Sequence, residues 1–235
     1  MRFTTAAILA AMLAAPLAAL PARAEAPAPR ITVTGEGRTE TAPDMATVSL
    51  GVQTRADTAA AALAENSAQL ARVLARLKAA GIAERDLQTS GLGLGPQMDY
   101  SRDGQPPRVV GYEASNQLTV RVRDLSRLGA VLDQAVGDGA NTLNGLSFGL
   151  SDPAAALDAA RVQAVAEARR KARMMAEAAG ARLGAVLEMN EQGNGLDPRP
   201  MFRTGAAMEA AAVPIAGGEV GYAVSVSVTW ALLAP

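Results

Sequence analysis

Apolar and polar residues alternate strictly over residues 46–53, where Ala46, Val48, Leu50 and Val52 are separated by Thr47, Ser49, Gly51 and Gln53. A period of two belongs to a strand with one buried face. Residues 221–232 repeat the pattern more clearly, with Tyr222, Val224, Val226, Val228 and Trp230 alternating with Ala223, Ser225, Ser227 and Thr229. A first strand opens at Ile31, Gly35 and Gly37 bracket Glu36, and Pro43-Asp44 marks the turn before residues 46–53. Residues 87–98 form a further predicted strand, with Leu92 and Leu94 on one side and Gly91, Gly93 and Gly95 on the other. Alternating Gly and Leu suits a strand against which something packs closely. Residues 109–123 return through Leu118, Val120 and Val122, and the Asp103-Gly104 turn within 101–107 makes the two a hairpin. Residues 141–150 are strand-like through Leu143, Leu146, Phe148 and Leu150, and residues 186–189 make a short strand.

Three stretches change to helical spacing. Asp57 or Thr58 is placed to cap a long helix in which Leu63, Leu70, Leu74 and Leu77 recur until Gly81 stops it. Asp124 caps a shorter helix with the stripe Leu125, Leu128, Val131, Leu132 and Val136, closing at residues 137–139. Asp152-Pro153 starts a third helix with cap and first-turn proline in order, and Gly180 ends it. Its face carries Ala160, Ala164, Ala168, Ala172 and Ala179, with Leu157, Val165 and Met175 beside them. Such a face lets the helix axis come close to a sheet or to another helix.

With strands in adjacent antiparallel pairs and one-sided alternation, the order predicts an α+β fold. Its sheet is mainly antiparallel with long amphipathic helices packed on one face, and the chain divides into two interleaved α/β subdomains. Residues 112–189 are the expected smaller unit, and the last strand returns to the sheet of the first. Residues 193–218, rich in Gly, Pro, Ala and Met, hold no sustained period. A loop of that length in a compact domain is usually functional or disordered.

Composition narrows the chemistry. The 235 residues contain neither Cys nor His, which removes disulfides, thiol nucleophiles, imidazole relays and His-bound zinc from consideration. Aromatic residues make up only 3%, so the core depends on close packing of Ala and Val rather than on large rings. Arg2, the apolar run 6–20 and Ala22-Arg23-Ala24 have the form of a signal peptide cleaved after Ala24. Residues 25–235 are then the mature domain, and losing Arg2 and Arg23 takes the formal charge from −1 to −3. That balance gives no electrostatic footprint for nucleic acid. No other stretch is long enough for a transmembrane helix.

The remaining candidate chemistry has a structural explanation in each case. Residues 91–95 lack the spacing and the Lys-Ser/Thr pair of a phosphate-binding loop. Glu36, Asp44, Asp99 and Asp103 are possible acid-base or calcium carboxylates, but Asp44 follows Pro and Asp103 precedes Gly, where Asp serves turns. Met45, Met98, Met174, Met175, Met189, Met201 and Met208 are thioethers that suit oxidant scavenging as well as packing. Met201 and Met208, on the long loop, are expected to oxidise before a buried Met175. The run Arg169-Arg-Lys-Ala-Arg173, with Arg161 two turns earlier, reads as a solvated helix face, or else as a surface for anionic lipid or an acidic partner.

The chain resembles the SIMPL-domain proteins of bacterial periplasms, also known as oxidative-stress-defence or periplasmic immunogenic proteins. The likeness rests on residues 31–37, Pro43-Asp44-Met-Ala, Gly51-Val52, Gly81-Ile82 and Asp86-Leu-Gln-Thr89. It continues through Gly111-Tyr112, Val122-Arg123-Asp124-Leu125, Gly139-Ala-Asn141, Pro214-Ile215 and Gly218-Glu219. The resemblance implies a periplasmic or outer-membrane-associated α/β protein linked to oxidative-stress tolerance, with ring-shaped oligomers among its members. It carries over no catalytic, cofactor-binding or metal-binding residue.

The resulting expectation is a non-enzymatic periplasmic protein that works as a homo-oligomer, alone or with an envelope protein partner, without cofactor or metal. The alternative is a small-molecule-binding protein or enzyme that uses the 193–218 loop as a lid. An outer-membrane barrel is disfavoured because three amphipathic helices interrupt the strands.

Overall fold

Among the described residues the strands sort into two four-stranded sheets rather than one. The structure, a computed structural model, describes residues 28–100, 106–192, 199–201 and 215–235. In chain order the elements are β1 (Arg30–Thr41), β2 (Met45–Ala56), α1 (Ala59–Ala79), β3 (Leu87–Asp99), β4 (Arg108–Val122), α2 (Leu128–Gly137) and β5 (Thr142–Gly149). They continue with α3 (Ala154–Ala178), β6 (Arg182–Gln192), β7 (Arg199–Met201) and β8 (Glu219–Leu233). The proposed signal peptide, the Asp103-Gly104 turn and most of the 193–218 stretch lie outside the described residues.

The fold is α+β, and every strand pairing is antiparallel. One sheet has the order β3-β4-β2-β5, and the other has β1-β8-β6 with the short β7 also on β8. The expected pairing of the first two strands does not occur. Period two fixes which face of a strand is buried but not which neighbour it takes, and β1 pairs along its whole length with β8, from Arg30 opposite Ala231 to Thr41 opposite Val220. Residues 112–189 are likewise no separate sheet unit, because β4 and β5 lie in one sheet and β6 in the other.

The larger core lies under α1 and α2. Ala46, Val48, Leu50 and Val52 of β2 and Leu118, Val120 and Val122 of β4 meet Leu70, Val73 and Leu77 of α1 and Leu128, Val131 and Leu132 of α2. Each Val or Leu fully removed from water contributes about 1.5–3 kcal/mol. Thr58 caps α1 by accepting from the Ala61 amide at 3.2 Å, and Gly81 ends the helix at φ +88°. The buried row of α1 is Ala62, Asn66, Leu70, Val73 and Leu77, with Leu63 and Leu74 only half-buried at its flanks. Asn66 is fully buried, and its amide donates to the carbonyls of Val52 (2.8 Å) and Ala114 (3.0 Å), fastening the helix to β2 and β4. Val136, counted in the predicted stripe of α2, faces outward instead.

The second core is built from small side chains. Ala160, Ala164, Ala168 and Ala172 of α3 pack on Val33 of β1 and on Val224, Val226, Val228 and Trp230 of β8. The row continues at Ala176, one helical step of four from Ala172, and not at Ala179. Gly35 and Gly37 make this approach possible. A methyl carbon on Gly35 would fall 2.5 Å from the Ala168 nitrogen and overlap the Ala164 carbonyl oxygen, and one on Gly37 would fall 2.6 Å from the Ala164 nitrogen. The small-residue face therefore seats α3 directly on the backbone of β1.

Candidate functional site

The chain crosses between its two sheets at residues 42–44 and again at 150–153, and Asp44 ties the crossings together. Its amide donates to the Gly149 carbonyl at 3.1 Å, and its carboxylate accepts from the Ser151 amide at 2.6 Å and the Ser151 hydroxyl at 2.8 Å. From β8, the buried Tyr222 hydroxyl accepts from the Leu150 amide at 3.0 Å. Gly217 completes this waist, because a Cβ there would stand 3.3 Å from Pro43 and 3.6 Å from Phe148.

Two further polar devices hold the β3-β4-β2-β5 sheet. Asp86, only 4% exposed, receives Nε and Nη2 of Arg123 at 2.9 and 2.8 Å. This fork of hydrogen bonds holds its carboxyl below the usual aspartate range against the opposing effect of burial. Asn141 mimics a strand residue, accepting from the Gln53 amide at 2.8 Å and donating to the Gln53 carbonyl at 2.7 Å.

The sheet edges differ in how they are finished. Along β1, the Glu36 amide donates to Glu167 at 2.6 Å, the Arg38 amide donates to Gln163 at 3.2 Å, and Lys171 donates to the Thr34 carbonyl at 3.2 Å. Side chains of α3 thus take up the backbone groups that an added strand would need. The edges β3, β5 and β6 have no such cover among the described residues. Leu92 of β3 is 66% exposed, Leu143 of β5 is exposed, and Val186, Leu187 and Met189 of β6 are about half exposed. The Gly-Leu stretch of β3 therefore differs from the expectation of something packed closely against it. Cβ atoms on Gly91 and Gly93 would meet only the side chains of Gln117 and Ser115, and one on Gly95 would meet open space.

The basic run of α3 splits between environments. Lys171 pairs with Glu167 at 3.3 Å, and Arg161 pairs with Asp158 at 2.7 Å and with Glu191 of β6 at 3.0 Å. Arg169 and Arg173 instead border a groove of about 380 Å³ between α3 and β6, whose floor includes Val165, Val186, Met189 and Trp230.

A comparison with known proteins decides the family. The SIMPL model, described as a protein of unknown function (DUF541), matches residues 31–230. The chain belongs to the SIMPL family. It is 42% identical over 209 residues to the 26 kDa periplasmic immunogenic protein of Brucella melitensis biotype 1, covering 86% of this chain and 84% of that one. It is also 30% identical over 212 residues to the uncharacterized protein YggE of Edwardsiella ictaluri, covering 90% and 88%. YggE of Escherichia coli strain K12 is 30% identical over 191 residues, covering 81% and 76%.

In this SIMPL chain the residues that carry the family likeness do structural work. Gly35 and Gly37 admit α3, Asp44 clasps the waist, Asp86 and Arg123 form a pair, and Asn141 extends a ladder. Of the four carboxylates considered from the sequence, the three that are described are not brought together. Glu36 accepts from Arg38 on β1, Asp44 lies at the waist, Asp99 faces Arg108 at the end of β3 at 3.7 Å, and Asp103 is outside the described residues. Among the described residues no group of three or more carboxylates is placed to hold a metal ion, and no helix is long and apolar enough to cross a membrane. Neither sheet closes into a barrel.

The methionines need one correction. Met175 is 49% exposed rather than buried, because the buried row of α3 runs through Ala172 and Ala176 and turns Met175 outward. The side chains of Met201 and Met208 lie outside the described residues. Sequence reasoning missed the buried Asn66, the capping of β1 by α3 and the Asp86–Arg123 fork. Only the fork had a signal, since both partners sit in family motifs.

Proposed function

We propose that this SIMPL-family chain is a non-enzymatic periplasmic protein that acts by assembling with further copies of itself and contributes to the envelope's tolerance of oxidative stress. The assembly reading rests on the contrast between edges. β1 is closed by Glu167, Gln163 and Lys171, while among the described residues β3 and β6 keep one side unpaired and carry exposed Leu92, Leu94, Val186 and Leu187. An open edge with apolar side chains gains both backbone hydrogen bonds and buried area when another strand adds to it. The names of the Brucella relatives support the periplasmic location. The stress-tolerance reading is supported by the family resemblance and by the outward-facing thioethers of Met174, Met175 and Met189. The structural employment of the motif residues supports a role without catalysis.

Light scattering on the purified protein tests the reading. A multimer is expected for the wild type and a lower mass for L92K/L94K, whose lysines make the β3 edge unfavourable for pairing. A wild type that stays monomeric at high concentration overturns the proposal.

A further inference from the structure

Among the described residues, two cations of α3 are ion-paired, whereas Arg169, Arg170 and Arg173 are not. Arg161 is neutralised by Asp158 and Glu191, and Lys171 on the β1 side is neutralised by Glu167. Arg169 and Arg173, one and two turns beyond Val165 on the row facing β6, make no ion pair among the described residues. With Arg182 at the start of β6 they rim the groove, and Glu177 is the one carboxylate lining it among the described residues. Arg182 is partly engaged, donating from Nε to the Ala234 carbonyl at 3.1 Å.

Below this cationic rim the groove is apolar. Val186 and Met189 stand on the face of β6 turned toward α3, because their partners across the ladder are Trp230 and Val228, both buried in the α3 core. Val165 faces them from the helix, and Trp230, 3% exposed, forms the floor. Beyond Met189 the Arg161–Glu191 bridge joins helix to strand. The result is a concave trough of about 380 Å³, within the range of small-ligand clefts, with guanidinium groups at one end and exposed apolar walls behind them.

We infer that this groove binds a single-chain amphipathic carboxylate of the fatty-acid class. Its headgroup is held by Arg169 and Arg173, and its chain lies along Val165, Val186, Met189 and Trp230. A guanidinium presents paired donors that fit a carboxylate in two parallel hydrogen bonds, and three such groups against the single Glu177 leave the rim with excess positive charge. An alkyl chain on Val186 and Met189 removes from water surface that the fold leaves half exposed. The concave shape favours a single molecule over a flat membrane surface.

Trp230 is the chain's only tryptophan, so its emission reports on this groove directly. The purified protein is titrated with decanoate, with decanol as the uncharged control, inorganic phosphate as the chainless control and phosphatidylglycerol vesicles as the membrane control. The expected result is a saturable change in Trp230 emission with decanoate, at least about tenfold weaker affinity for decanol, and no response to phosphate. Tenfold is the size expected from one lost charge-assisted hydrogen bond. R169Q/R173Q, altered only at exposed positions, is expected to bind decanoate no better than decanol. V186E, which keeps the arginines but places a carboxylate on the apolar wall, is expected to lose decanoate binding. Equal affinity of wild type and R169Q/R173Q for decanoate overturns the inference. So does a response to phosphate matching that to decanoate, or a response to vesicles without one to decanoate.

Discussion

Glu167 of α3 accepts the amide proton of Glu36 in β1 at 2.6 Å, so a helix side chain occupies the position that the carbonyl of another strand would take. The same hydrogen bond, aided by Lys171, holds the Glu167 carboxyl below the usual glutamate range, and it is ionised at neutral pH. E167A is expected to leave the fold intact but to free the Glu36 amide for pairing with other molecules. Turbidity and sedimentation at neutral pH should show E167A aggregating faster than wild type at equal concentration. Identical aggregation would mean that the β1 edge is protected by something other than this contact.

Gly35 and Gly37 set how close α3 lies to β1. G35A introduces a carbon 2.5 Å from the Ala168 nitrogen, against helix backbone that cannot rotate away. The helix must lift, and the contacts of Ala164 and Ala168 with the sheet loosen together. A loss of about 3 kcal/mol is expected in urea unfolding, at the upper end of ordinary overpacking. G95A, where a Cβ meets nothing within 4 Å, serves as the control and should change stability far less.

These elements also mark how far the sequence could be read. The alternation of β2 and β8 identified their buried faces, because Val48 and Val228 have polar neighbours on both sides, and Leu50 and Val224 have a serine on one side and only Gly51 or Ala223 on the other. The alanine stripe of α3 was legible at a step of four as far as Ala172, but its last member is Ala176 and not Ala179. Strand pairing was legible only in part: the β3–β4 hairpin and the return of β8 to the sheet of β1 could be read, but β1 and β2 are neighbours in sequence and yet part at Asp44 into different sheets. Leu63 and Leu74 drew attention by bulk, but the face of α1 that meets the sheet runs through Ala62, Asn66 and Val73. Of the groove, the sequence showed the arginines and Val165 on α3. It could not show that β6 extends to Arg182 and brings Val186 and Met189 opposite them.

The Asp86–Arg123 fork makes stability depend on pH in a defined direction. Because the folded carboxyl titrates below its unfolded value of about 3.9, its contribution is fully present above that value and is lost as pH falls through the lowered folded one. D86N is expected to cost about 1–3 kcal/mol at pH 7, the range for leaving a buried hydrogen-bonding group poorly matched. The gap between wild type and variant should narrow as unfolding is followed down toward pH 3. A gap that stays constant would show that the loss comes from packing rather than from the carboxylate's charge.

Methionine oxidation separates exposed thioethers from covered ones. Met174 and Met175 are 56% and 49% exposed on α3, and Met189 is 47% exposed on β6, whereas Met45 at the start of β2 is only partly exposed. Peroxide transfers one oxygen to sulfur and leaves as water, so the rate follows the access of peroxide to the thioether. Peptide mass spectrometry over a dose series should find the sulfoxide at Met174 and Met175 before Met45. Met189 adds a link to the groove, since a bound alkyl chain would cover it. Decanoate should slow oxidation of Met189 while leaving Met174 unchanged, and equal protection of both, or of neither, would place the ligand elsewhere.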